Sequence, residues 1–323
     1  MTGGPAIREL VLGCAQAVRA AVARHGRQGR QRRVHGDSPG GDAQFDVDEV
    51  AERAVWEHLT GHAREPLAVY TEHHGLRRTG PDPAILLVVD PVDGTRPTSA
   101  GLEMGTVSIA VAPLTAGAPT LGDVTAAHVL ELRSGAWMYA DDTLPEPLRH
   151  DGYDWPLPRL SGTRDLTRMF WSIEFNGHPM RLMTDAYEHL VDASANTGGV
   201  FVFNSASFSL TRIVTGQLDA YVDIGNRILR DHPGTEAEFR RVGRGGILHL
   251  FPYDIAASAY LAKRAGAVVT DAYGDSLDPM PLLTIDPASQ RSCVAASTPE
   301  LHRALLDTIR WDLPDPASTG GHR

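Results

Sequence analysis

The stretch Ile85-Leu86-Leu87-Val88-Val89-Asp90-Pro91-Val92-Asp93-Gly94-Thr95 decides how this chain is read. Ile85 to Val89 form a short apolar run with the length and β-branched content of a buried strand. The run ends in two aspartates three positions apart, followed at once by Gly94 and Thr95. A strand that delivers two carboxylates into a tight turn makes an oxygen-rich cradle, which hard divalent cations such as Mg2+ select. The backbone N–H groups of Gly94 and Thr95 point out of such a turn and suit an anion. Metal ligands beside an anion nest imply phosphate-ester chemistry. Asp-Pro and Asp-Gly are also ordinary turn dipeptides, so the stretch alone leaves a plain turn open.

The chain has 323 residues, 42% of them hydrophobic, and a formal net charge of -10. That length suits one large or two medium domains. The negative charge argues against a nucleic-acid polymer or an anionic membrane held by bulk electrostatics. A small anionic substrate stays open, because a bound cation inverts the local field. Cys14 and Cys293 are far apart and match no metal spacing, which points to a reduced, cytoplasmic protein. No apolar run is long enough to span a bilayer. Met1 to Glu9 lacks a basic region followed by an apolar stretch, so no signal peptide is expected.

Ahead of the central stretch, Ala6 to Arg24 has the apolar spacing of an amphipathic helix. Arg24 to Gly41 reads as a basic, glycine-rich loop. It holds Gly36-Asp37-Ser38-Pro39-Gly40, a formal match to the Gly-x-Ser-x-Gly pattern of serine hydrolases. That pattern needs a strand before it and a helix after it, and the polar surroundings provide neither. Phe45 to Leu59 is a second helix, with Asp46 or Asp48 as its N-cap. His58 and His62 are read as surface residues at its end. Pro66 to Tyr70 is a strand running into Thr71-Glu72-His73-His74-Gly75. Glu72 is placed to meet the strand-end aspartates, although alone it would pass for a solvent-facing loop residue.

After the central stretch, strands are expected at Gly105 to Val111, Ala126 to Leu132 and Ala136 to Tyr139. Asp141 to Pro158, rich in proline and aspartate, reads as a linker. Beyond it, strands and helices alternate, which argues for an α/β layer. The predicted strands are Met169 to Phe175, Gly199 to Phe203, Leu218 to Ile224 and Ala267 to Thr270. The helices are Arg181 to Ala193, Ser209 to Thr215, Ile255 to Ala265 and Leu301 to Ile309. Arg227 to Gly246, charged and glycine-containing, reads as an inserted loop. Asp254 stands at the head of a helix, where capping is its simplest role. A helix N-terminus also suits phosphate.

Three motifs in this order resemble the inositol monophosphatase family of Mg2+-dependent, Li+-sensitive phosphatases. That superfamily includes fructose-1,6-bisphosphatases and nucleotide 3'-phosphatases. Asp90-Pro91-Val92-Asp93-Gly94-Thr95 resembles the family signature Asp-Pro-hydrophobic-Asp-Gly-Thr/Ser. Tyr253-Asp254-Ile255-Ala256-Ala257 resembles Trp-Asp-x-Ala-Ala, and Ala265 to Asp271 continues that match. Thr71-Glu72 before Gly75 resembles the Glu-bearing turn.

The resemblance implies a layered α/β/α/β/α sandwich, usually dimeric. Its halves would be residues 1–145 and 160–311, with a flexible tail at 312–323. It implies about two or three Mg2+ ions per subunit. Glu72, Asp90 and the Val92 carbonyl would hold one ion; Asp90, Asp93 and Asp254 would hold a second. Thr95 with Glu72 would orient the attacking water, and the amides of Gly94 and Thr95 would bind the phosphate. Asp48 would sit behind the metal site. Asp223, Asn204, Ser205 and Ala206 would line the substrate side, and Arg227 and Arg230 could grip a second phosphate. The expected substrate is a small polyol or sugar phosphate. A sugar bisphosphate, a nucleotide 3'-phosphate and a catalytically silent binding protein are the alternatives.

The chain departs from the family pattern in three places. His73, followed by His74, stands where an acidic residue is usual after Glu72. Arg96, Pro97 and Thr98 come after Thr95, where a polar residue, asparagine and an aromatic are common. The segment 227–246 looks longer than usual. The expected metal ligands are all present, so the departures bear on substrate choice.

Overall fold

The computed structural model describes residues 4–27, 32–114, 117–284 and 286–313. The predicted tail therefore lies largely outside the described residues. The helices are α1 (Pro5–Arg27), α2 (Asp46–His62), α3 (Thr95–Ala100), α4 (Met180–Ser194), α5 (Ala206–Val214), α6 (Gly225–Asp231), α7 (Glu236–Val242), α8 (Pro252–Ala265) and α9 (Pro299–Thr308). A first hairpin is β1 (Val34–Asp37) and β2 (Ala43–Phe45). The next strands are β3 (Leu67–Thr71), β4 (Gly75–Arg78), β5 (Ile85–Asp93), β6 (Thr106–Pro113), β7 (Ala126–Glu131), β8 (Trp137–Asp141) and β9 (Arg149–Asp151). The last are β10 (Phe170–Ile173), β11 (Gly199–Phe201), β12 (Ala220–Asp223), β13 (Val268–Thr270) and β14 (Cys293–Ala296).

Seven strands form one sheet in the order β4-β3-β5-β6-β7-β8-β9, and five form another in the order β11-β10-β12-β14-β13. Strand alternation sends successive side chains to opposite faces. In β5, Leu87 and Val89 face a core shared with α1 and α2, including Val11, Val18, Ala51 and Val55. Leu86 and Val88 face the opposite way, into a core with Leu210 of α5 and Ala256 and Ala259 of α8. Tyr221, Cys293 and Ala295 of the second sheet join that central core. Ala220, Val222, Val294 and Ala296 face outward instead, packing with Leu182 of α4, Phe239 of α7 and Leu301 of α9. The chain thus stacks as helix, sheet, helix, sheet, helix, and α5 and α8 are buried between the sheets.

Several expectations change. The linker predicted at 141–158 contains β9, which pairs with β8 through Trp137 and Asp151; the first sheet extends to residue 151. The segment 227–246 is not a loop: it continues α6 and carries α7, whose Phe239 is fully buried. Short turns punctuated by Pro233, Gly234 and Gly243 hid these helices. Within the predicted 24–41 loop, α1 runs on to Arg27 and β1 precedes Ser38. After Ser38 the chain turns into β2, with no helix, and the Ser38 hydroxyl accepts the Asp42 amide at 3.2 Å. The N-cap of α2 is Phe45; Asp48, third in the helix, accepts the Phe45 N–H at 2.7 Å. His62 accordingly folds back on its own helix, its ring stacked on His58 with centroids 4.3 Å apart.

Candidate active site

Residues three apart in a regular strand point to opposite faces. Asp90 and Asp93 avoid this because β5 carries an extra residue there: Asp90 faces Ser108 of β6, and Asp93 faces Thr106. Such a bulge re-aims side chains, and Pro91, with no N–H to give the ladder, is suited to it. Both carboxylates therefore enter one pocket. Glu72 joins them from the turn after β3, a parallel neighbour of β5. Asp254 joins from the first turn of α8, across the inter-sheet layer. The pocket spans about 700 Å3 of empty space, open solvent included. A larger cavity of about 1550 Å3 between α1 and α3 has no carboxylate in its lining.

Three of the four carboxylates are fixed from behind by hydrogen bonds. Asp90 Oδ1 accepts the Val92 amide at 3.0 Å. Asp93 Oδ2 accepts the Ser205 hydroxyl at 2.8 Å and the Ser207 amide at 2.5 Å. Asp254 Oδ2 accepts the Phe251 amide at 2.6 Å, the same backward cap that Asp48 makes in α2. Capping employs one oxygen of Asp254 and leaves the other for the pocket. The Thr95 hydroxyl lies 3.0 Å from both Asp48 Oδ1 and the Val92 carbonyl, donating to one at a time. Asp48 is not part of the lining and stands behind Thr95. His73 Nε2 lies 3.5 Å from Glu72 and 3.7 Å from Asp48. Burial lowers the His73 pKa, so a neutral imidazole separates two acids.

The electrostatics call for positive charge. Burial raises Glu72, Asp90 and Asp254 well above the carboxylate range, reinforced by their mutual repulsion. Burial also raises Asp93, while its bonds to Ser205 and Ser207 hold it to about 6. None of the four is ion-paired with an arginine or lysine among the described residues; beside Glu72 stands the neutral His73 ring. Oxygen donors without a counter-charge fit a hard divalent cation. Among the described residues no three His, Cys, Asp or Glu side chains are grouped closely enough to hold a metal ion as they stand.

Asn204, Ser205, Ala206 and Asp223 also line the pocket. Ser205 caps α5, accepting the Phe208 amide at 3.1 Å while donating to Asp93. Arg227 and Arg230 do not reach the pocket. Arg227 stacks on Trp311, 3.6 Å from the ring centroid, and bonds Asp231 at 3.1 Å and the Ala272 carbonyl at 2.6 Å. Arg230 bonds the Ala288 carbonyl at 3.1 Å. Residues that sequence reading missed also line the pocket: Asp42, Glu174, Asn176 and His249. Burial raises Glu174 and Asp223 to about 7 and lowers His249 well below its usual range. No local motif marks these residues, since loops of distant origin bring them in.

Carboxylates from the ends of two strands and the start of a helix thus share one pocket between the two sheets. The family model described as "Inositol monophosphatase family" matches residues 6–311, and the chain belongs to that family. A fructose-1,6-bisphosphatase/inositol-1-monophosphatase of Methanothermobacter thermautotrophicus is 24% identical over 81% of this chain and 82% of its own. Its counterpart from Archaeoglobus fulgidus is 25% identical over 82% of each. Among solved structures, the extragenic suppressor protein suhB of Bartonella henselae superposes with a TM-score of 0.67 at 18% identity, covering 94% of this chain and 98% of its own. An inositol monophosphatase from Anabaena gives 0.63 at 18% identity, covering 96% and 97%. The shared fold is the layered sandwich. No helix among the described residues is long and apolar enough to cross a membrane.

Proposed function

We propose that this protein is a Mg2+-dependent phosphomonoesterase acting on a small polyol or sugar phosphate. The observation that carries this reading is the set of four carboxylates in one pocket, Asp90 and Asp93 buried and Glu72 and Asp254 half-buried, with no arginine or lysine ion pair among the described residues, beside the Gly94-Thr95 turn. Glu72, Asp90 and the Val92 carbonyl would hold one ion, and Asp90, Asp93 and Asp254 a second. The bound cations would supply charge neutralisation for the phosphoryl oxygens and acidification of the attacking water. Thr95, held by Asp48, would take a hydrogen bond from that water with Glu72 and set its line of attack on phosphorus. The amides of Gly94 and Thr95 would bind the phosphoryl oxygens. The P–O ester bond breaks as the new one forms, and the alcohol leaves after taking a proton. Asp223 and Asn204 face the alcohol side, where carboxylate and amide oxygens suit hydroxyl groups. Buried, unpaired Cys14 and Cys293 agree with a reducing cytoplasm, and a homodimer is proposed from the family resemblance.

Phosphate release in Mg2+ and in EDTA tests this, on a panel holding inositol 1-phosphate, fructose 1,6-bisphosphate, a nucleotide 3'-phosphate and sugar monophosphates. The expected result is Mg2+-dependent turnover that Asp93→Asn abolishes. A folded protein that binds Mg2+ yet releases no phosphate from any ester would favour the silent binding protein.

A further inference from the structure

Arg96 is the one arginine or lysine among the described pocket-lining residues, against seven aspartates and glutamates. It comes directly after Thr95, as the second residue of α3. Its guanidinium meets Asp42 through two bonds, Nη2 to Oδ1 at 2.7 Å and Nη1 to Oδ2 at 3.1 Å. Burial works against its charge, but Asp42, Glu174 and Glu72 together keep its pKa raised. Arg96 thus lines the same pocket as the carboxylate cluster. The Arg96 and Asp42 side chains remain 33% and 30% exposed, so a solute entering the pocket can reach the pair.

Asp42 sits on a weakly anchored element. The hairpin of β1 and β2 forms a two-stranded sheet of its own, joined to neither main sheet, and β1 is exposed along its length. Isolated hairpins are only marginally stable. The Ser38–Asp42 turn rests on the start of α8, where a Cβ on Gly40 would meet the Tyr253 hydroxyl at 2.8 Å and Phe251 Cε2 at 2.9 Å. A further bond, 3.4 Å from Asn176 Nδ2 to Asp42 Oδ2, reaches the second half of the chain. An internal carboxylate on a marginal hairpin therefore occupies the pocket's one permanent cation. Bidentate arginine contacts suit phosphate and carboxylate equally well, and every other permanently charged residue lining the pocket is acidic.

We propose that Arg96 is a specificity-determining residue that binds a second anionic group of the substrate, a phosphate or a carboxylate, in place of Asp42. The proposal rests on the phosphatase reading above. The test is steady-state kinetics in Mg2+ on matched pairs: fructose 6-phosphate against fructose 1,6-bisphosphate, and glycerol 2-phosphate against 2-phosphoglycerate. The two pairs separate phosphate from carboxylate as the second anion. In at least one pair, Arg96→Ala should raise KM for the two-anion member, relative to its one-anion partner, about tenfold or more. Asp42→Asn should shift that ratio the opposite way, because it frees the guanidinium, and Arg96→Lys should restore part of the loss. Equal shifts of both members, with the same sign in Arg96→Ala and Asp42→Asn, would show a clasp for the hairpin and overturn the proposal. If Arg96→Ala fails to fold, the sign of the Asp42→Asn shift decides. A wild-type protein that releases no phosphate from these four or from the panel above, while staying folded and binding Mg2+, overturns the phosphatase reading itself.

Discussion

Asp93 holds two donors, from Ser205 and Ser207, on one oxygen and turns its other side to the pocket. An asparagine can keep both bonds through its carbonyl oxygen while losing the charge. Asp93→Asn should therefore fold normally and lose about 1000-fold or more in Mg2+-dependent turnover; kcat with circular dichroism alongside checks both halves. Gly94 has a backbone reason for its identity. Its φ is +88°, and an added Cβ would meet the Met104 carbonyl at 2.6 Å. Gly94→Ala adds left-handed strain of about 1–3 kcal/mol to that collision. The expected outcome is a Tm several degrees lower and activity lost with it. An unchanged Tm would mean that α3 shifts to make room.

At the scale of elements, the two extra helices α6 and α7 show where sequence reading stops. Asp90, Asp93, Glu72 and Asp254 each occupy an element end, but local signals alone allowed a turn, a loop residue or an N-cap; the family resemblance singled them out as a set, and all four line one pocket. Nine of the twelve strands in the two main sheets were legible from their apolar runs, whereas β4, β9 and β14 were not. Seven-residue helices such as α6 and α7 span two turns, too short for a periodicity to emerge between glycines and prolines. Arg227 then looked like a phosphate ligand, although its partners, Trp311, Tyr273 and the Ala272 carbonyl, lie 45 or more positions away in sequence. The same remoteness hid Asp42, Glu174 and His249. Arg227 fastens α6 to the segment after α9, so Arg227→Ala should cost about 1–2 kcal/mol of stability. In a chain of 323 residues that lowers Tm by roughly 1.5–3 °C. KM for phosphate esters should not move; a selective rise for bisphosphates would restore Arg227 to the binding site.

For the whole molecule, the buried acids couple stability to pH and to cation binding. Burial raises Asp93 from its ordinary 3.8 to about 6, Asp48 and Asp223 from 3.8 to about 7, and Glu174 from 4.5 to about 7. Glu72, Asp90 and Asp254 shift in the same direction. Between the ordinary and the raised values the folded chain holds more protons than the unfolded chain. Stability therefore falls as pH rises, because its slope with pH is set by unfolded minus folded protons bound. The contribution is complete below about pH 4 and is lost as pH passes about 7, with Glu72, Asp90 and Asp254 extending the loss. On the proposed reading, divalent cations would bind the ionised folded site and so oppose this loss most where it is largest. In EDTA, Tm should decline from pH 5 to pH 8 once the general effects of acid are subtracted with a control. That control is the Glu72→Gln, Asp90→Asn, Asp254→Asn variant, which removes three of the buried charges. Saturating Mg2+ should raise Tm several degrees at pH 8 and little at pH 5, and do almost nothing to the triple variant. The physical reason is competition: at pH 5 protons already neutralise the carboxylates, and Mg2+ must displace them to bind. A Mg2+ stabilisation that is the same at both pH values, or that survives in the triple variant, would place the cation outside this pocket.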